Sequence, residues 1–267
     1  MKRKPAVAGQ FYPSSPAKLT EQVRGYINKD AVKENVIGIV SPHAGLMYSG
    51  AAAGAVFSKI KFPHTFILIG VNHTGLGSLV SIMLSGEWQM PTGELEINEN
   101  IARKITEKSD IIEEDSLAHS MEHSLEVQLP FILYYSSDVK IVPIVMMADS
   151  LETCRLTGEA IAEAVKESKD SVTIVASSDM SHYVTDSMAR KKDKKAIDRV
   201  LALDPEGLYN TVRKEGISMC GFMPVTSMLF AALKLGAREA ELVKYMTSGE
   251  VSGDYDYVVG YAGMIIR

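Results

Sequence analysis

Three of the six histidines in this 267-residue sequence stand just beyond short apolar runs. His43 follows VIGIV in the segment SPHAG, His73 follows FILIGV in NHTG, and His182 follows VTIVA in SSDMSHY. Neutral imidazole is a favoured ligand for iron, copper, zinc and nickel. Two histidines and a carboxylate carried on separate loops could present one face to a divalent metal and leave positions open for substrate. Gly45 and Gly75 stand two residues beyond His43 and His73, where glycine permits tight turns and close backbone approach. Asp179 and His182 form a second constellation, three residues apart. A carboxylate beside an imidazole can fix its tautomer and raise its basicity, as a general acid/base or around a metal. The plainer alternative is that Asp179 caps the next turn and His182 packs.

His119 and His123 are four residues apart in AHSMEHSLEVQLPF. On a helix both rings would share one face, with Glu122 and Glu126 on a neighbouring one. That spacing suits either a zinc-type pair or a helix N-terminus, with Ser120 or Ser124 as cap and a glutamate in the first turn. We read His123 as lining the site and leave His119 open between the two. His64 precedes a strand and belongs at the opposite, structural edge. Cys220 stands before a helix opened by Gly221 and Pro224. A thiol there is either activated by the helix N-terminus or simply a small buried hydrophobe.

These groups need elements to position them. Val36–Val40, Phe66–Val71, Val139–Met147 and Val172–Ala176 are short, β-branched and continuously apolar, as buried parallel strands are. Helical patterns occupy Pro16–Ile27, Ser49–Ile60, Ser124–Tyr135, Glu152–Ser168, Ala189–Ala202 and Met223–Leu235. Leu242–Met246 and Tyr257–Ile266 complete the strands, and the turn signal MPTGE predicts a hairpin between Ser78 and Ile97. Alternation of this kind predicts an α/β fold with a mixed central β-sheet flanked by helices, and residues 1–267 read as one domain. In open α/β sheets, ligands bind beyond the carboxyl ends of the strands. His43, His73 and His182 would meet there if their strands run parallel.

Composition narrows the function classes. Hydrophobic residues make up 46% of the chain, enough for a sizeable core. The net charge of −5 argues against a general binder of nucleic-acid backbone. No apolar run approaches the roughly 18 residues of a membrane span, so no membrane partner is expected. The two cysteines, Cys154 and Cys220, do not suggest a disulfide scaffold, and a cytoplasmic location fits.

Taken in order, the blocks PAVAGQFYP, SPHAGLMYSG, LIGVNHTG, WQMPTGE, HSMEHSLEVQLPF, KIVPIVM, ASSDMSHY, LDPEGLY, CGFMP and YMTSGEVSGD…VVGYAG resemble the Memo-like family over nearly the whole chain. Its microbial members are called AmmeMemoRadiSam system protein B. The family is related by fold to the catalytic subunits of class III extradiol dioxygenases, which are non-haem iron enzymes. The resemblance implies a dioxygenase-like α/β fold and a metal held by His43 and His73. It further implies iron, with copper or zinc as alternatives, and redox or oxygenase-type chemistry. In the dioxygenases the third ligand is a glutamate; in animal members of the family it is a cysteine near the C-terminus. Aligning the tyrosine of YMTSGEV puts Val251 at or beside that cysteine's position, so Glu250 is expected as third ligand, with Asp179 and His182 as reserves. By the same resemblance His182 would act as acid/base on a small-molecule or peptide ligand; Asp179, three residues away, and the site-lining His123 complete the expected catalytic set. A non-catalytic module for phosphorylated or anionic peptides is the alternative function. The microbial name also implies AMMECR-type and radical S-adenosylmethionine protein partners. This chain lacks a CxxxCxxC cluster and is not the radical enzyme itself.

Overall fold

The computed structural model describes residues 1–147 and 150–267. Four strands run parallel and side by side in the order Gly38–Ser41, Val172–Ser177, Thr65–Val71, Lys140–Met146. Their β-branched runs are buried almost throughout, as a sheet covered on both faces requires. The flanks make the sheet mixed. Val258–Ile266 pairs antiparallel with Gly38–Ser41 and carries Ala240–Thr247 and the short His182–Val184, both antiparallel to it. At the other side Val80–Ile82 lies antiparallel to Lys140–Met146 and parallel to Glu113–Glu114.

Helices cover opposite faces, and two glycines show which. A Cβ on Gly38 would strike Met228, in the helix Phe222–Lys234. A Cβ on Gly263 would strike Val56, in the helix Leu46–Lys59. Gly38 stands opposite Ile266, three residues from Gly263, so the two glycines face opposite sides of the pleat. The helix Leu151–Lys166 packs on Phe222–Lys234, and Pro16–Tyr26 packs on Leu46–Lys59.

Several expected elements shift for local reasons. The predicted hairpin is shorter, Glu87–Met90 with Gly93–Glu96, and it joins Lys2–Arg3 in a separate three-stranded sheet. Val80–Ile82 goes instead to the main sheet. The helix predicted from Ser124 begins as a 3-10 turn, Glu126–Gln128, and becomes α-helical only over Leu129–Tyr135. Glu122 captures the backbone N–H groups of His123 and Ser124 at 2.9 and 2.8 Å, an alternative to helical pairing. His119 and His123 therefore do not share a helix face. Two unanticipated helices carry clear caps. Asn98 accepts from Ile101 N ahead of Glu99–Glu107. Asp204 caps Pro205–Glu215, which ends at left-handed Gly216.

Candidate metal centre

The carboxyl ends of the parallel strands bring His43, His73 and His123 together. One ring nitrogen from each lies within 4.8 Å of the other two. The ring centroids stand 5.3 Å apart for His43 and His73, 5.6 Å for His43 and His123, and 4.5 Å for His73 and His123. His43 follows Gly38–Ser41 and His73 follows Thr65–Val71, as their strand ends predict. His123 comes from the loop before the Glu126–Gln128 turn, which seats itself against the end of Thr65–Val71. Ser124 Oγ donates to the Val71 carbonyl at 2.8 Å, and a Cβ at Gly70 would strike that hydroxyl, so this approach needs glycine.

Hydrogen bonding decides which nitrogens face outward. Ser177 Oγ donates to the Ser124 carbonyl at 2.6 Å and accepts from Gln128 Nε2 at 2.9 Å. Its remaining lone pair meets His43 Nδ1 at 2.9 Å, so that nitrogen carries the proton. His73 Nδ1 stands 2.9 Å from a Glu122 carboxylate oxygen, which can only accept. Both rings thus hold Nδ1–H inward and keep the Nε2 lone pair for a ligand, the usual arrangement around metal-bound histidine. His123 Nδ1 lies 3.5 Å from the same carboxylate, and its ring packs on Phe11 at 4.7 Å.

Burial disfavours the charged forms of His43 and His123. Desolvation holds His43 well below the ordinary histidine range, and the neighbouring His73 and His123 add to the effect. His123 is lowered chiefly by burial as well. Burial alone would raise Glu122. The hydrogen bond and charge of His73, the Ser124 N–H and the charge of His123 overcome it and lower the carboxyl to about 2. Imidazoles backed by a carboxylate form a donor set that fits a first-row transition metal.

The other expected residues divide. Asp179 is buried near the trio, but its Oδ1 accepts from the backbone N–H of His43 at 2.8 Å and of Ala44 at 3.3 Å. It steadies the His43 loop rather than the His182 ring. Desolvation raises its pKa against those two hydrogen bonds. His182 is oriented by Ser218: its Nδ1 donates to the Ser218 carbonyl at 2.8 Å, and its backbone N–H to Ser218 Oγ at 2.7 Å. Glu250 does not join the trio. It is 41% exposed and accepts from Arg190 at 2.9 Å and from Thr247 N at 3.2 Å. The single helical turn Gly249–Ser252 spends the Glu250 carboxylate on that surface pair, and Val251 is exposed. His119 is fully buried and edge-on to Trp88 at 6.0 Å, apart from the trio. His64 pairs with Ser171 at the opposite strand ends, as expected.

The Cys220 thiol is close to the cluster. Its Sγ stands 3.3 Å from His43 Nε2 and accepts from Asp179 N at 3.3 Å, and burial raises its pKa. Sequence reasoning overlooked Gln128 and Ser218. An amide and a hydroxyl carry no spacing signal, because their partners are distant in the chain.

Comparison with known proteins shows the family. A family model described as "Memo-like protein" matches residues 3–265. MEMO1 family proteins of Methanopyrus kandleri and of Methanosarcina barkeri are each 41% identical to the chain. The first match covers 100% of this chain and 99% of that protein, the second 99% and 100%. The crystal structure of an uncharacterized protein from Escherichia coli K12 shares the fold at a TM-score of 0.56. It is 13% identical, and the match covers 86% of this chain and 100% of that one. The chain belongs to the Memo-like protein family.

Proposed function

We propose that this chain is a metal-dependent enzyme of redox or oxygenase type, with a divalent ion held by His43, His73 and His123. The observation that carries the reading is the shared outward face of three imidazoles, two of them locked with Nδ1–H inward. Iron suits such a set, with copper or zinc as alternatives. When bound, the ion supplies Lewis acidity and, for iron or copper, one-electron chemistry. The protein's own groups supply the rest. Glu122 and Ser177 orient the rings, and Asp179 holds the His43 backbone. His182, with Nδ1–H committed to Ser218, keeps Nε2 to take a proton from a bound ligand or return one.

A module for phosphorylated or anionic peptides fits less well. Glu122 is ionised behind the rings, and its charge opposes an anion. A cytoplasmic setting and AMMECR-type or radical S-adenosylmethionine protein partners complete the proposal; co-purification from native cells tests the partners. Among the described residues no helix is long and apolar enough to cross a membrane.

Elemental analysis of anaerobically purified chain tests the metal. One ion per chain is expected, and the double substitution His43→Ala/His73→Ala should abolish uptake. Unchanged uptake in the double variant would sink the proposal. Titration with a phosphopeptide before and after chelation separates the alternative: binding that survives chelation favours the module.

A further inference from the structure

We propose that the loop beside His182 carries a subsite for an organic cation, a guanidinium-type group held against the rings of Tyr183 and Tyr257 and the carboxylates of Asp254 and Asp256. The subsite names the charge on a ligand of the proposed metal centre, and it rests on that reading only for what becomes of the ligand after it binds.

Tyr183 follows His182 and breaks the pattern of its strand. His182 pairs with Val259 and Val184 with Val258, so Tyr183 is the extra residue of a β-bulge. Its φ of +58° lies in the left-handed region, where a side chain carries a conformational cost that glycine avoids. The ring is nonetheless 68% exposed, with its centroid 5.8 Å from that of His182. A tyrosine kept at that cost, and held out to water, points to something it meets there.

Tyr257 stands beside it at the start of the neighbouring strand. Its ring is 69% exposed, its centroid is 6.4 Å from that of Tyr183, and the two planes are 33° apart. Asp254 and Asp256 alternate with Tyr255 and Tyr257, and all four are exposed. Asp254 Oδ1 accepts from Asp256 N at 2.9 Å. Among the described residues neither carboxylate forms an ion pair, whereas Arg190 is taken by Asp186 at 2.7 Å and Glu250 at 2.9 Å. Asp186 N donates to the Tyr255 carbonyl at 2.9 Å, so that pair borders the loop. The cation at hand is therefore spent, and the aromatic pair with its two carboxylates is left without one. Aromatic faces attract guanidinium and ammonium groups, and the carboxylates add Coulomb attraction. An anion would be repelled by the same carboxylates.

NMR titration of the chelator-treated full chain, labelled at tyrosine, tests this. The probes are ethylguanidinium, the peptide acetyl-Gly-Arg-Gly-amide and its citrulline counterpart, which keeps the shape and lacks the charge. Both guanidinium probes should shift the signals of Tyr183 and Tyr257, and binding should weaken as salt rises. The citrulline peptide should bind at least about tenfold more weakly than the arginine peptide. Tighter binding of the arginine peptide than of ethylguanidinium identifies a protein side chain as the source of the cation, and equal binding a small molecule. Tyr183→Gly, which relieves the left-handed backbone, Tyr257→Ala and the pair Asp254→Asn/Asp256→Asn should each weaken the arginine peptide about fivefold or more. Tyr257→Phe should retain binding, because the ring face and not the hydroxyl is used. Equal binding of the citrulline peptide, or an unchanged affinity in Tyr257→Ala, overturns the inference. The titration needs no metal, so that result leaves the histidine centre intact. A chain that binds the cation and takes up no metal keeps the subsite while the centre falls.

Discussion

Glu122 and Glu126 leave the same short loop four residues apart, and both are fully buried. Glu126 faces Arg3, forms an ion pair with it, and accepts from Ala6 N at 2.8 Å, Val7 N at 3.0 Å and the Tyr12 hydroxyl. Arg3 in turn donates to the carbonyls of His119 and Glu122 and lies over Trp88, 4.3 Å from the ring centroid. This side of the loop is saturated: the cation and the carboxylate answer one another, and nothing is offered to a ligand. Glu122 faces the histidines, accepts from the His73 ring and from the backbone N–H groups of His73, His123 and Ser124, and so turns the lone pair of the His73 ring outward. The lesson is one of completeness. A closed polar network anchors the chain, and an incomplete one beside it is where chemistry becomes possible.

The largest expected effect breaks the anchored side. Glu126→Ala leaves Arg3 buried without its carboxylate and should cost about 3–5 kcal/mol of stability in urea unfolding. A loss below about 1 kcal/mol would show that the network is not an anchor. On the other side, Glu122→Gln should weaken metal binding about 10–100-fold, the usual cost of losing the carboxylate behind a ligating histidine. Competition with a chelator reads this directly, and an unchanged affinity would deny Glu122 its orienting role.

The buried His119 sharpens the contrast through pH. Burial, reinforced by Arg3, lowers its pKa to about 4 from the ordinary 6.5. Below the ordinary value the unfolded chain binds a proton that the folded chain refuses, so stability falls as pH drops from about 6.5 toward 4. This one group accounts for about 2 kcal/mol at pH 5. His119→Leu should shrink the decline between pH 7 and pH 5 by that amount; an unaltered slope in urea titrations argues that His119 finds a partner when charged. The smallest effect belongs to Glu250. Glu250→Gln breaks only an exposed pair with Arg190, should change stability by less than about 0.5 kcal/mol, and should leave metal content unaltered. Loss of metal in that variant would return Glu250 to the centre.

Much of this was legible in the residues themselves. The runs VIGIV, FILIGV and VTIVA are apolar on both faces, which only a doubly covered sheet accommodates, so the parallel strands and the edge bearing His43 and His73 followed from local pattern. His64 at the far edge followed from the same logic. What the pattern could not decide lay in side chains that reach across loops. Glu122 and Glu126 have the same type and nearly the same surroundings in the sequence, and neither local propensity nor spacing tells which meets Arg3 and which meets His73. A helix expected from Ser124 gave way because Glu122 competes for backbone N–H groups, and that competition turned His123 toward the trio. Asp179 passed from His182 to the backbone of His43, and Glu250 from the metal to Arg190, for the same reason. Apolar periodicity reports burial, which each residue senses through its own neighbours. A donor set depends on distances between atoms that are far apart in the chain, and the packing of strand ends against loops decides those.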